Sequence, residues 1–302
     1  MSGHGDSKKT VLYALGANFA VAVVKGLAAY FTGSGAMLAE TVHSFADCGN
    51  QGLLLLGMRQ SKLPPSAEYP LGQGRAIYFW SFVVALMLFS VGGVFSVYEG
   101  WHKLHAKEPL QNWQWAAGVL LFGVVAEGVS MRACLREVAK ARGERSLWRW
   151  FRETRQVELV VIFGEDLAAL LGLVAALAAI VVTVLTGDPV WDALGTLAIG
   201  VLLIVVAVFV AVEVKALLIG QSADPEVTAE IQAWLTARPE VERVFHLIAL
   251  QQGSEILVSV KAKLRVSGSF ADGIGVINAI EVDLKKRFTD VKWSFFEPDD
   301  TD

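Results

Sequence analysis

Six stretches of the chain run for about 20 residues or more with very few charges, near 11–31, 36–58, 77–101, 113–135, 157–186 and 190–219. A helix needs roughly 20 apolar residues to cross a bilayer core. Inside hydrocarbon the helix also satisfies its own backbone polar groups, which an open strand cannot. Each stretch is therefore expected to be a transmembrane helix. Charged residues make up only 19% of the chain and hydrophobic ones 54%, against about 25% charged in a soluble domain. That balance excludes a soluble enzyme and a disordered chain. The first ten residues are short and polar, and no small-residue cleavage site follows the first apolar run, so that run is expected to stay as a membrane helix. Cys48 and Cys134 both lie in apolar segments, which leaves neither a disulfide framework nor a cysteine-rich zinc site.

The ends of the runs carry turn residues. Thr32-Gly33-Ser34-Gly35 separates the first two and Gly187-Asp188-Pro189 the last two, making a hairpin of each pair. Trp101, Trp113, Trp115 and Trp191 sit at span edges, where an interfacial belt places them. From the last turn of span four to the start of span five lie eight lysines and arginines, Arg132 to Arg155; Arg59, Lys62 and Arg75 follow span two, and Lys8 and Lys9 precede span one. The opposite side carries only Lys103 and Lys107. Positive loops stay in the cytosol, so both termini are expected to be cytoplasmic. The basic loop reads as a topology signal with some attraction to anionic lipid, and no aromatic-rich module accompanies it to bind nucleic acid.

Beyond Gly220 the chain becomes soluble in character. Residues 224–238 read as an amphipathic helix, 241–251 and 255–266 as strands about the Gly253 turn, 270–288 as a helix and 291–296 as a last strand. In the second strand Ile256, Val258, Val260, Ala262 and Leu264 alternate with more polar neighbours, which marks one buried face. The order αββαβ suits a small ferredoxin-like α+β layer with helices on one sheet face. The expected division is a six-span transport domain over 1–220 and a cytoplasmic domain over 221–302.

Ionisable groups at mid-membrane cost at least about 2.5–3.5 kcal/mol each. Span two nevertheless holds Glu40, His43 and Asp47, at spacings that put all three on one helix face. Span five holds Glu165 and Asp166, span four Glu127, span one Lys25, and Asn18 and Asn50 add neutral polar groups. One imidazole nitrogen and several carboxylate oxygens from two helices form a first shell for a borderline divalent ion such as zinc. The alternative is a polar network that locks helices together. For His43, Asp47 and Asp166 the metal reading leads; for Glu40 and Asn50 the two weigh equally. Glu127 is open between a proton site and a partner for Lys25.

In these features the sequence resembles the cation diffusion facilitator family. The resemblance is carried by six spans, a αββαβ tail, the run from Leu38 to Asp47, Gly16, Asn18 and Lys25 of span one, and Tyr69-Pro70-Leu71-Gly72-Gln73-Gly74-Arg75 before span three. It covers nearly the whole chain. It implies a homodimer in a membrane, here a bacterial cytoplasmic (inner) membrane, exporting zinc or a related divalent ion against protons, with no cofactor. The family's transport site takes two ligands from span two and two from span five. Carried over, His43 and Asp47 match the first pair and Asp166 the second ligand of the other. The remaining position falls on Ile162, which cannot bind metal; Glu165 shares that helix face and is expected to replace it. Glu165-Asp166 before Leu167-Ala168-Ala169-Leu170-Leu171-Gly172, with Glu40 and Tyr98-Glu99-Gly100, resembles the branch that holds an animal mitochondrial zinc exporter.

Two accessory sites of the family are eroded. Gln73 stands where many relatives have histidine, with Glu68 the nearest acid, and His246 is the one histidine of the tail strands. A dimerising tail with little metal binding of its own is expected. The implied cycle is proton-coupled alternating access, with cobalt, iron, nickel and manganese also compatible with the ligand types. The rival is a non-transporting membrane scaffold or metal-responsive partner whose polar network is structural, for which the missing ligand at Ile162 argues. No nucleophile–base pair or phosphate loop supports an enzyme.

Overall fold

In the computed structural model, residues 19–106, 112–266 and 268–301 are described. Residues 11–18 of the first expected span, with Gly16, Asn18, Lys8, Lys9 and Lys107, lie outside them. The helices are α1 (Phe19–Thr32), α2 (Gly35–Gln60), α3 (Ala76–Ala106), α4 (Trp113–Arg142), α5 (Leu147–Glu153), α6 (Val157–Thr186) and α7 (Val190–Ile219). After them come α8 (Pro225–Thr236), β1 (Val241–Gln252), β2 (Glu255–Leu264), α9 (Phe270–Arg287) and β3 (Val291–Pro298). Among the described residues, α3, α4, α6 and α7 are long and apolar enough to cross a membrane. Helix α2 has 26 residues, about 39 Å at about 1.5 Å per residue; its polar stripe keeps it below that apolarity.

The chain divides into two compact units. The first gathers the described residues up to Leu56 with those of Trp80–Glu144 and Glu158–Glu213. Its core is rich in small residues: Ala28, Ala36, Ala39, Ala116, Ala168 and Ala176 pack with Met37, Leu120, Leu173 and Ile199. Lipid gives helices no hydrophobic reason to associate, so close approach at small residues does that work. The α3–α7 seam is an example. A Cβ on Gly100 would lie 2.8 Å from the Leu197 backbone nitrogen, and one on Gly200 2.7 Å from that of Val97. Outward, Phe19, Leu27, Phe31, Leu121, Phe122 and Val205 are exposed, a surface suited to hydrocarbon rather than water. Trp101, Trp115 and Trp191 are exposed near helix ends.

Helix α3 is interrupted by one feature the apolar pattern did not announce: Leu88–Val94 winds as a π-helix. At the opposite end of this unit, Asp192 of α7 is buried and caps α2. It accepts hydrogen bonds from the Ser34 hydroxyl (2.7 Å) and the Gly35 N–H (2.9 Å). The Lys103 ammonium stands 3.8 Å from the same carboxylate and donates to the Gly33 carbonyl.

The second unit takes Gly57–Phe79, Arg145–Val157 and the described residues from Val214 onward. The tail is thus built together with two segments of the apolar half, 57–79 and 145–157. Ser146 caps α5, and its Trp150 and Phe151 are buried. Arg145 pairs with Asp224 at 2.7 Å, and Arg155 donates to the Ser222 carbonyl at 2.6 Å. Two arginines of the basic loop are therefore structural partners in addition to topology signals. The Tyr78 hydroxyl donates to the Gly253 carbonyl (3.2 Å) and accepts from the Gly253 N–H (2.8 Å). Gly253 has φ +69 and packs so closely on Gly74 that neither can carry a side chain.

The tail follows the expected αββαβ order. Strands β1 and β2 pair antiparallel, β2 and β3 parallel, in the order β1-β2-β3. Ile256, Val258, Val260 and Ala262 are buried with Ile231, Leu235, Ile280 and Leu284, as the alternation in β2 indicated. Ser269 and Asp272 form a reciprocal cap on α9, and the Ser269 backbone N–H and hydroxyl hold the Asp272 carboxyl below the usual carboxylate range. His246 is exposed on β1, in register with Lys261.

Candidate metal centre

The site begins with the periodicity of α2. Glu40, His43, Asp47 and Asn50 follow at spacings of three, four and three, and so line one face over three turns. Glu40, His43 and Asn50 are fully buried. Asp47 is partly open, because it lines a cavity of about 100 Å³ with Gln51 of α2, Glu127 and Ser130 of α4, and Glu165 and Asp166 of α6. Three helices thus bring four carboxylates to one enclosed space inside the first unit. Adjacent residues on a helix point about 100° apart, and Glu165 and Asp166 use that divergence. Asn50 Nδ2 donates to Glu165 Oε1 at 2.6 Å, whereas the Ser130 hydroxyl donates to Asp166 Oδ2 at 3.2 Å.

Of the expected ligands, Asp47, Glu165 and Asp166 line this cavity. His43 stands behind it. Its Nδ1 is 3.6 Å from Asp47 Oδ1, too long for a hydrogen bond, and neither ring nitrogen has a partner. The ring faces the π-helical turn of α3, where a Cβ on Gly92 would come within 3.9 Å of Nδ1. Ile162 is 38% exposed and is not among the cavity's lining residues. Among the described residues, no group of three or more His, Cys, Asp or Glu is arranged to hold one metal ion. The carboxylates line one space but do not converge on one point.

The open question over Lys25 and Glu127 resolves. Lys25, itself buried, pairs with Glu40 at 3.3 Å and donates to the Ser44 hydroxyl at 2.7 Å. Glu127 instead lines the cavity. Glu40 is therefore a partner for a buried cation, locked from the other side by Gly172, where any Cβ would strike Glu40 Oε1. Sequence reasoning passed over Ser130 and Gln51. For Ser130 the signal was its spacing of three from Glu127, which puts both on one face of α4.

Residues 11–219 match the model of the cation efflux transmembrane domain. The chain is 32% identical over 248 residues to the mouse (Mus musculus) "Proton-coupled zinc antiporter SLC30A9, mitochondrial", covering 81% of this chain and 44% of that protein. The Xenopus laevis protein of the same name is 32% identical over 270 residues, 89% of this chain and 48% of its own. "Metal tolerance protein C4" of Arabidopsis thaliana is 30% identical over 245 residues, 79% and 53% respectively. The chain spans about half the length of these curated relatives.

Proposed function

The chain belongs to the cation efflux family, resembling its animal mitochondrial branch, and on that premise we propose that it exports a divalent metal ion, zinc first, in exchange for protons. The observation that supports this reading is the placement of Asp47, Glu165 and Asp166 around one cavity between α2, α4 and α6, with His43 next to Asp47. A multi-pass membrane protein has no structural need for four carboxylates at that depth, and each is costly there. A dication is the partner that makes them favourable.

In the proposed cycle His43, Asp47, Asp166 and Glu165 bind the ion from the cytosolic side. Imidazole and carboxylate must lose their protons to coordinate, so metal entry expels protons, and protons entering from the other side expel metal. Metal binding must also draw Asp166 off Ser130 and bring the carboxylates towards one another. The zinc-transport names of the animal relatives favour zinc. We read residues 1–220 as the transport domain and 221–302 as a cytoplasmic domain that pairs two copies, in a bacterial cytoplasmic membrane with both termini inside.

The test is zinc uptake into proteoliposomes under an imposed pH gradient, with wild type, Asp47→Ala and Glu165→Gln. Gradient-dependent flux that both substitutions abolish supports the exchanger. The rival reading, a scaffold with a structural polar network, draws on the missing ligand at Ile162. Absence of flux from folded wild type with zinc, manganese and cobalt would establish it instead.

A further inference from the structure

Nine buried side-chain nitrogen or oxygen atoms among the described residues have no hydrogen-bond partner, and five of them lie on one face of α2. They are Glu40 Oε1, both ring nitrogens of His43, Asp47 Oδ1 and Asn50 Oδ1. Buried polar atoms are ordinarily satisfied, so a concentration of orphans needs a cause. The three oxygens can only accept, and a neutral imidazole adds one more lone pair. At the Glu40 end the Lys25 ammonium already supplies one cation; the orphaned atoms further along, as far as Asn50, have no donor or cation in hydrogen-bond reach among the described residues.

Asn50 is the least expected member. Its amide orientation is fixed chemically: Nδ2 faces the Glu165 carboxylate at 2.6 Å, and the flipped amide would set two acceptors against each other. Oδ1 is thereby left without a partner, in a residue with no exposed surface. The level of Asn50 in the membrane matters equally. Helix α2 runs towards the cytoplasmic end, so Asn50 lies one turn to the cytoplasmic side of Asp47. Helix α6 runs the opposite way, so Ile162 lies one turn to the cytoplasmic side of Asp166. Across these two helices the Asn50 amide reaches Glu165, three residues from Ile162 on α6. Among the described residues, His, Cys, Asp and Glu side chains by themselves do not close around one ion.

Building on the α2–α6 site proposed above, we propose that Asn50 is itself a ligand to the transported ion through Oδ1, supplying from α2 an oxygen in place of the ligand that Ile162 cannot provide. Its Nδ2 meanwhile steers Glu165 to the same ion. An amide oxygen is a neutral, hard donor. It leaves the ligand set one unit less negative than a carboxylate would, and shifts preference from zinc towards oxygen-seeking ions such as manganese.

The experiment is calorimetric binding of Zn²⁺ and Mn²⁺ to the full chain in detergent, with Co²⁺ absorption as the coordination readout. Wild type is compared with Asn50→Leu, Asn50→Asp and Asp47→Ala, each shown to be monodisperse. Asn50→Leu is expected to weaken zinc binding by about 10–100-fold and to change the Co²⁺ bands. Asn50→Asp, which adds an anionic oxygen at the same place, is expected to bind zinc more tightly than wild type. Wild-type affinity and spectrum in Asn50→Leu overturn the proposal. So does equal weakening in Asn50→Asp and Asn50→Leu, which would make Asn50 only a donor to Glu165. Unchanged binding in Asp47→Ala locates the failure in the underlying α2–α6 site, and the Asn50 proposal falls with it.

Discussion

Lys25 and Glu40 form an ion pair with side chains 1% and 0% exposed, at 3.3 Å. Neither group can turn to water if its partner is removed. Lys25→Met leaves Glu40 facing the Gly172 backbone with no cation, and Glu40→Gln leaves the ammonium with neutral acceptors, an amide oxygen and the Ser44 hydroxyl at 2.7 Å, and no counter-charge. Breaking a buried pair from one side costs about 3–5 kcal/mol, whereas replacing both partners is often close to neutral. Each single variant is therefore expected to lose about 3–5 kcal/mol. The double variant Lys25→Met/Glu40→Gln should lose no more than either one alone, a coupling of about 3 kcal/mol. The assay is equilibrium unfolding in mixed micelles, followed by tryptophan fluorescence. Glu40 does not line the cavity, so the double variant should also keep metal flux once folded. Additive losses, with coupling below about 0.5 kcal/mol, would refute the argument that these charges are held by each other.

Three other outcomes follow from single contacts. Asp192→Asn weakens the cap on α2 and strips the Lys103 ammonium of its counter-charge; a loss of about 1–2 kcal/mol is expected in the same unfolding assay. Tyr78→Phe leaves the Gly253 N–H and carbonyl without the hydroxyl that serves both, which should cost about 1–3 kcal/mol, read as a lowered unfolding midpoint of the full chain. The Asp272 carboxyl is held below its ordinary range by Ser269, so its contribution is present above the unfolded value, about 3.9, and disappears as pH falls through the depressed folded value. Asp272→Ala should accordingly reduce amide protection in α9 near neutral pH and leave it unchanged in strong acid; a difference that persists in acid would contradict the cap.

The apolar runs were legible because length and hydrophobicity suffice to define a membrane helix. The alternation in β2 gave away the tail's core for the same reason. Three features were not legible, and each has a physical cause. The π-turn at Leu88–Val94 is as apolar as its flanks, and only the Gly92-Gly93 pair hints at it. Helix α5 hides among arginines, although Trp150 and Phe151 are the signature of a buried face. The joining of the tail with residues 57–79 rests on the close contact of Gly74 with Gly253 and on one tyrosine hydroxyl, contacts with no periodicity to betray them. Within the site, spacing alone put Glu40, His43 and Asp47 on one face, and Asn50, three residues on, was read only as a neutral polar group. Spacing could not tell that Glu40 answers Lys25, or that His43 stands behind the cavity that Asp47 lines.

The account stands on the claim that a metal ion sits between the polar face of α2 and the acids of α6. X-ray absorption at the zinc edge of the loaded full chain tests this most directly. The predicted first shell is one imidazole nitrogen and several oxygens at about 2.0–2.2 Å, without sulfur, and lost in Asp47→Ala. Two or more imidazoles, a sulfur neighbour from Cys48 or Cys134, or an unchanged shell in Asp47→Ala would contradict it.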